Sequence, residues 1–358
     1  MPTTLPLVAP WERDRVEALR RRLGLDPQVI RRVRGALFKR CRTDAELLAE
    51  IPAEVRAEFA KSIQLHCLQV DQRHDSQSDG ATKLLLRTAN DKLIETVVLR
   101  IATGRTSLCV SSQVGCAAAC EFCATGKMGI AQNLSTAEIL DQIVLAGQIL
   151  AGEGRRVRNL VFMGMGEPFH NEAALFESLE ALIAPDLFHH SPARILVSTV
   201  GIPDAMLRCA RRFPKVNLAL SLHSVRPEVR QRLIPLAARY SLLVLRDTLE
   251  QLNRIQPAST TVMIEYLMLA GINDALDDAR ELAAWLQGLR VHVNLIPYNP
   301  IDGAPRLRPT PRSAQEAFAA ALRDRGLVTT VRYSLGADIA AACGQLVRPE
   351  NRRRGSNY

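Results

Sequence analysis

Cys116, Cys120 and Cys123 stand within eight residues of one another in a chain of 358. Thiolates are soft ligands that suit zinc and iron–sulfur clusters alike. Three cysteines can hold only three irons of a four-iron cube, which leaves the fourth iron open for a substrate. A structural zinc site would need a fourth ligand, and the nearest histidines in sequence, His74 and His170, are remote. Both readings stay open on the triplet alone. Gly164-Met165-Gly166-Glu167 offers glycines that let backbone approach a ligand closely, and a carboxylate that can accept from a cationic amine. Cys109 and Cys343 lie far from each other in sequence. Free cysteines are often buried hydrophobes, and thiol chemistry is the alternative for this pair.

The elements that must position these groups follow from periodicity. Residues 159–162, 194–197, 217–221, 261–267, 292–296 and 328–333 read as strands. Residues 135–151, 172–183, 203–212, 242–255, 275–289 and 313–325 read as helices between them. Such alternation predicts an α/β fold, a parallel sheet with helices outside, open or closed into a barrel. Reactive groups then collect at the C-terminal ends of strands, where the motifs above fall. Residues 63–106 change to period two, with 65–70, 83–87 and 93–98 as strands of an antiparallel β extension turning at Asp79-Gly80 and Asn90-Asp91. Residues 1–62 form a small helical accessory module with a loop at Gly24-Leu25-Asp26-Pro27. Its arginines make either a solvated surface or an RNA-binding one. Residues 347–358 form a basic tail with Arg352, Arg353 and Arg354.

Hydrophobic residues make up 47% of the chain, enough for a sizeable core. Lys+Arg 46 against Asp+Glu 37 leaves a net charge of +9, which favours a polyanion through counterion release. There is no apolar run long enough to span a membrane and no secretion signal at the N-terminus. A cytoplasmic location and no membrane association are expected, and clustered cysteines in a reducing compartment read as metal or cluster ligands.

Cys116-Ala-Ala-Ala-Cys120-Glu-Phe-Cys123 resembles the cluster motif of the radical S-adenosylmethionine (SAM) superfamily. Six flanking segments narrow the likeness: Ser107-Leu-Cys-Val-Ser-Ser-Gln-Val-Gly-Cys116, Ala124-Thr-Gly-Lys127, Met163-Gly-Met-Gly-Glu-Pro168, Ser221-Leu-His-Ser224, Asn294-Leu-Ile-Pro-Tyr-Asn-Pro300 and Ala341-Ala-Cys-Gly-Gln-Leu346. Together, over about residues 31–346, they are similar to the RlmN/Cfr family of RNA methyltransferases. The resemblance implies a radical SAM (partial TIM-like) β/α barrel, with 107–346 as the catalytic domain. It implies a [4Fe–4S] cluster on Cys116, Cys120 and Cys123, and S-adenosyl-L-methionine held by Gly166, Glu167, Ser198, Ser221, Leu222, His223 and Asn299. Reductive cleavage of SAM then yields a 5′-deoxyadenosyl radical.

By the same resemblance Cys343 is the S-methylcysteine intermediate, Glu95 the proton acceptor, and Cys109 the resolving thiol that forms a transient disulfide with Cys343. The implied product is an adenosine methylated on ring carbon 2 or 8 in 23S ribosomal RNA, either alone or with transfer RNA as a second target. The implied partners are RNA and an electron donor such as flavodoxin or ferredoxin, with the enzyme a monomer. The chain departs from the family at Gly336-Ala337-Asp338-Ile339-Ala340, where members often carry carboxylates in place of the two alanines, and at Ser224, where an alanine is common. Two other functions compete. A radical SAM methylthiotransferase usually carries a second cluster, and only one triplet is present. A non-catalytic, zinc-stabilised RNA-binding protein gives no reason for Cys109 and Cys343.

Overall fold

Ten strands pair in simple chain order to make one sheet, and that order decides where every reactive group lies. The computed structural model describes residues 7–129, 132–332 and 334–346; Tyr333 and the basic tail lie outside the described residues. Four helices come first: α1 (Arg13–Arg22), α2 (Pro27–Arg34), α3 (Asp44–Ala49) and α4 (Ala53–Ser62). Strands β1 (Gln69–Asp75), β2 (Ala81–Arg87), β3 (Leu93–Arg100) and β4 (Thr106–Cys109) are antiparallel neighbours. From β4 onward every pairing is parallel, through β5 (Asn159–Phe162), β6 (Ile195–Thr199), β7 (Asn217–Ser221), β8 (Val262–Met268), β9 (Val291–Pro297) and β10 (Val328–Val331). The connecting helices are α5 (Thr136–Gly152), α6 (Glu172–Ile183), α7 (Pro203–Arg212), α8 (Pro227–Leu233), α9 (Leu242–Ile255), α10 (Leu276–Leu286) and α11 (Arg312–Arg323).

The antiparallel extension is thus continuous with the barrel sheet, because β4 pairs antiparallel with β3 on one side and parallel with β5 on the other. Two expectations need correction. The strand expected over 65–70 begins only at Gln69, because the backbone amides of Cys67 and Leu68 donate to Asp141 Oδ2 at 2.7 and 2.8 Å instead of to a neighbouring strand. Helix α8 was not anticipated; it starts at Pro227, whose missing N–H costs nothing at a first helical position.

A single apolar cluster runs from the first helices into the barrel, with Leu47, Phe59, Leu108, Phe162, Ile264 and Phe318 all fully buried. Each such side chain contributes roughly 1.5–3 kcal/mol by leaving water. The helical module therefore shares the barrel's core, and removing residues 1–62 would bare apolar surface as well as remove arginines.

His66 ties the module to the barrel. Its Nδ1 lies 2.6 Å from Asp141 Oδ1 on α5, and its Nε2 lies 3.0 Å from Asp44 Oδ1 at the start of α3. At the other end of the chain, residues 334–346 cross back from β10 to the opposite edge of the sheet. Gly336 N donates to Asp79 Oδ2 at 2.7 Å, and Asp338 accepts from Ser76 Oγ at 2.8 Å and from Gln77 N at 2.9 Å. Gly336 sits at φ +76°, and a Cβ there would stand 2.9 Å from that of Ala341.

Burial pulls the His66 pKa down, but the carboxylates of Asp141 and Asp44 overcome it and the net shift is upward. A raised histidine contributes stability fully below its unfolded pKa, near 6.5, and loses it as pH climbs through the folded value. Urea melts should therefore show the protein weakening from pH 6 toward alkaline pH. His66→Ala should cost about 1.5–3 kcal/mol at pH 6 and flatten that dependence. An unchanged slope in the variant would assign the dependence to other groups.

Candidate active site

The cysteine loop begins where β4 ends, at Cys109, and is shaped by what packs beneath it. Ala119 takes φ +53°, an uncommon conformation for a residue with a side chain, and the turn aims the amides of Ala118 and Ala119 at the Cys116 sulfur. Gly126 lies so close below that a Cβ would come within 2.9 Å of Cys120 N. The loop is pinned by Glu121 N donating to Leu233 O and by Ala124 N donating to Gly344 O, at 2.9 and 2.8 Å.

Burial pushes the Cys116 thiol up to about 12 and Cys120 well above its usual range, and each neighbouring thiol adds to the rise at Cys120. Such thiols stay protonated until a metal supplies positive charge. All three line one cavity of about 120 Å³. Among the described residues no three or more His, Cys, Asp or Glu side chains are gathered closely enough for a single ion. Three thiols facing one cavity fit a multi-iron cluster that takes one thiolate at each of three corners.

Glu167 reaches the same cavity from the loop after β5. That loop lies against the lead-in to the cysteines: Met165 N donates to Ser111 Oγ, Ser112 N and Gln113 N donate to Met165 O, and Glu167 N donates to Gln113 Oε1. Only glycine permits the approach. A Cβ at Gly164 would meet Val110 O at 2.7 Å, and one at Gly166, already at φ +105°, would meet Gln113 Cβ at 2.6 Å. Glu167 accepts from Phe169 N at 3.0 Å and from Val200 N at 2.9 Å. Burial nevertheless pushes its pKa up to about 7, a carboxyl poised to ionise when a cation arrives.

Ser198 and Ser221, at the ends of β6 and β7, line this cavity with hydroxyls 3.4 Å apart. His223 lines it too, at φ +59°, edge-on to Phe122 with ring centroids 4.8 Å apart. Its Nδ1 accepts from Leu267 N at 3.0 Å, which leaves Nε2 to carry the ring proton. Burial lowers its pKa to about 3, so the ring is neutral. Leu222 and Asn299 are not brought to the cavity wall. Leu222 is fully buried behind it, and Asn299 Nδ2 donates to Cys343 O at 3.1 Å, steadying that loop.

A second cavity, of about 420 Å³, lies inside the barrel and is lined by both Cys109 and Cys343. Cys343, Met163 and Glu265 line both cavities and so form the wall between them. All eight cysteines are free thiols, and Cys343 alone is exposed, an exposure directed into the cavities it lines. Burial pushes Cys109 up to about 12 and raises Cys343, while the Arg332 guanidinium opposes both shifts. Arg332 Nη1 also points at Met163 Sδ, 3.6 Å away.

Glu95 lies on the face of β3 that carries the cavity-lining Val97, and Val97 pairs with Cys109. It is buried and does not itself line the cavity. Its Oε1 stands 3.4 Å from Lys83 Nζ, and Lys83 in turn donates to Ala340 O at 3.2 Å, three residues before Cys343. The sequence reading passed over Lys83, Glu265 and Arg332. The signal was there for two of them, since Lys83 and Glu265 are charges set in the middle of apolar strands.

A model of the radical SAM superfamily matches residues 110–286. A probable RNA methyltransferase of Rhodopirellula baltica is 56% identical over 344 residues, 96% of this chain and 89% of that protein. A probable dual-specificity RNA methyltransferase RlmN of Thermus thermophilus is 38% identical over 310 residues, 87% of this chain and 86% of that protein. Among solved structures, a radical SAM methyltransferase from Sphaerobacter thermophilus superposes with a TM-score of 0.88 at 35% identity, covering 95% of this chain and 99% of that one. Among the described residues no helix is long and apolar enough to cross a membrane.

Replacing Cys116, Cys120 or Cys123 by alanine should each abolish the brown colour of anaerobically purified protein and its content of about four irons per chain. Glu167→Gln should keep the iron and bind SAM roughly 10- to 100-fold more weakly by calorimetry, the loss of one charge-assisted contact. Full iron in a cysteine variant would mean that the ligands lie elsewhere.

Proposed function

The chain belongs to the RlmN/Cfr family of radical SAM, SAM-dependent RNA methyltransferases, and we propose that it installs a methyl-derived carbon on carbon 2 or carbon 8 of an adenine in 23S ribosomal RNA or in transfer RNA. The observation that carries this reading is the wall between the cavities. Cys343 lines the cavity of the three cysteines and also the cavity of Cys109, so one sulfur can serve a methyl donor on one side and a base on the other.

In this reading Cys116, Cys120 and Cys123 hold a [4Fe–4S] cluster, with SAM beside Gly166, Glu167, Ser198, Ser221 and His223. Leu222 packs behind that site, and Asn299 acts on it through the Cys343 loop. Cluster and SAM together, supplied with an electron by a donor such as flavodoxin or ferredoxin, provide a radical able to take hydrogen from a methyl group. An adenine ring carbon is electron-poor and does not attack the methyl of SAM directly, which is why a carrier sulfur is needed.

Cys343 is that carrier, and the nearby Arg332 charge eases its ionisation against burial. Once the carbon radical joins the ring, the base is tethered to Cys343 through a carbon–sulfur bond, and the one unpaired electron left on the adduct would be taken up by the bound cluster as the ring proton is lost. Glu95 takes the ring proton, and Lys83 holds it at a fixed distance from the Cys343 loop. The Cys109 thiolate then attacks the Cys343 sulfur. A sulfur–sulfur bond forms and the carbon–sulfur bond breaks with its electron pair on the ring-bound methylene, which takes up a proton to become the methyl group. The methylated base leaves, and an external dithiol must then reduce the disulfide. A methylthiotransferase reading gains nothing from the remaining cysteines. Cys41 packs its sulfur against Gly147 of α5, Cys67 belongs to the Asp141 turn, and Cys209 is fully buried on α7.

Cys109 and Cys343 should fail differently. Cys343→Ala removes the carrier, so neither methylated RNA nor a protein–RNA adduct should form. Cys109→Ala keeps the carrier but lacks the thiol that releases the base, so a ribonuclease-sensitive slow band should accumulate on denaturing gels. Two buried structural cysteines would instead give two modestly destabilised proteins with similar residual activity. Methylation retained in both, with no adduct in either, would sink the mechanism. Nucleoside mass spectrometry of the ribosomal and transfer RNA from a deletion strain identifies the ring carbon and the target.

A further inference from the structure

We infer that a cationic cleft at the starts of β5 and β6, the strand ends opposite the cysteine cavity, is a docking site for the phosphate backbone of the RNA substrate. The cleft has a volume of about 360 Å³ and lies where the helical module meets the barrel. Its lining includes Lys39, Arg156, Arg158, Arg194, His189 and His190, and contains no carboxylate. Arg158 immediately precedes β5 and Arg194 immediately precedes β6. The loops that follow those same two strands carry Glu167 and Val200 of the catalytic site, so the strands run from one site to the other.

The cleft gathers four cationic side chains into one concavity with no acid in its lining. Several arginines elsewhere are tied to acids: Arg13 to Asp186, Arg20 and Arg21 to Glu17, Arg100 to Glu153, Arg208 to Glu172 and Arg212 to Glu180. Among the described residues no ion pair ties the side chain of Lys39, Arg156, Arg158 or Arg194 to a carboxylate. Like charges brought to one concavity repel, and that cost is relieved when an anion binds between them.

Two further observations point to a ligand. His190 Nε2 is buried without a hydrogen-bond partner, and burial together with the Arg194 charge holds the ring neutral, with a pKa of about 4. The cleft also has an apolar floor, in which the rings of Phe38 and Phe188 stand 4.6 Å apart. Apolar walls strengthen a guanidinium–phosphate pair by lowering the local dielectric. A nucleotide seated there would be remote from the chemistry, since β5 alone spans about 13 Å. A polynucleotide reaches both sites at once. The inference rests on RNA as the substrate and on no choice of ring carbon or target.

The test is binding, measured by fluorescence anisotropy on the cluster-loaded full chain with unmodified bulk transfer RNA and deproteinised 23S ribosomal RNA across a salt series. Arg156→Glu/Arg158→Glu should bind both RNAs at least tenfold more weakly near physiological salt. Its log–log salt slope should be shallower by about two units, at roughly 0.9 for each lost phosphate contact. Arg254→Glu/Arg325→Glu makes the same charge change on the helical layer near β8 and β10, and should alter affinity less than twofold. Arg156→Gln/Arg158→Gln carries the test should the reversed pair fail to fold. Equal losses in the two pairs would mean a general electrostatic field without a site, and an unchanged slope in the cleft pair would remove the cleft from the RNA surface. Inorganic phosphate at constant ionic strength should displace the RNA no better than chloride. Displacement at low millimolar phosphate would assign the cleft to a small anion and overturn the proposal. No methyl transfer enters these readouts, so an error about the reaction leaves them intact.

Discussion

The close approach of two loops, made possible by two glycines, is the contact on which the rest of the site depends. Gly164 and Gly166 let the segment after β5 lie directly on the segment after β4, where a single added Cβ would strike backbone or a buried side chain. The backbone hydrogen bonds that cross this contact fix Glu167 relative to Cys116. They also aim Met163 at the wall between the two cavities. Because β4 and β5 are adjacent parallel strands, both loops emerge on the same edge of the sheet, and the contact needs no long excursion of the chain. A larger residue at either glycine would separate the carboxylate from the cysteines before it disturbed the core.

Burial supplies the electrostatics. The Cys116 and Cys120 thiols, Glu167 and Glu265 are all held toward their neutral forms by desolvation. Negative charge is thereby kept from stacking in a poorly solvated space. Arg230 is the counterweight. It is buried under the cysteines and donates to the carbonyls of Val200, Ser221 and Leu222, capping the ends of β6 and β7. Burial lowers its pKa to about 10, still far above neutrality, so the positive charge is permanent. Glu265 is held on one side by Asn294 Nδ2 at 2.7 Å, while its Oε1 is buried without a partner in the wall between the cavities. A buried unpaired oxygen costs stability, and here the cost falls on the wall that substrate must touch.

Much of this was legible in the residues. The triplet, the glycine loop and the strand–helix alternation are local patterns, and α6, α7, α9, β5 and β7 begin and end where periodicity placed them. The neighbourhood of Cys343 was not legible, because it arises from contacts between elements remote in sequence. Lys83 meets Ala340, Asn299 meets the Cys343 carbonyl, and Arg332 sits beside both thiols. Nor does spacing reveal that the module is fused to the barrel. That fusion rests on His66 and Asp141 and on a shared core, whereas the sequence offers only a change of periodicity at residue 63.

The placement of Cys343 on an irregular segment follows from what two cavities demand of one sulfur. A residue inside a strand points to one face of the sheet, and its alternatives are fixed by the pleat. Cys343 lies past the last strand, flanked by Ala340 at φ +49° and Gly344 at φ +84°, in a loop held by its backbone rather than by its side chain. Asn299 holds the carbonyl of Cys343, Ala124 donates to that of Gly344, and Thr125 Oγ1 donates to that of Leu346. With the main chain anchored on the cysteine loop itself, the side chain is left unencumbered, and rotation about its Cα–Cβ bond moves the sulfur while the backbone stays still. Two of the three anchoring partners, Ala124 and Thr125, follow directly on the loop that carries Cys116, Cys120 and Cys123, so whatever orders that loop also bears on the position of Cys343.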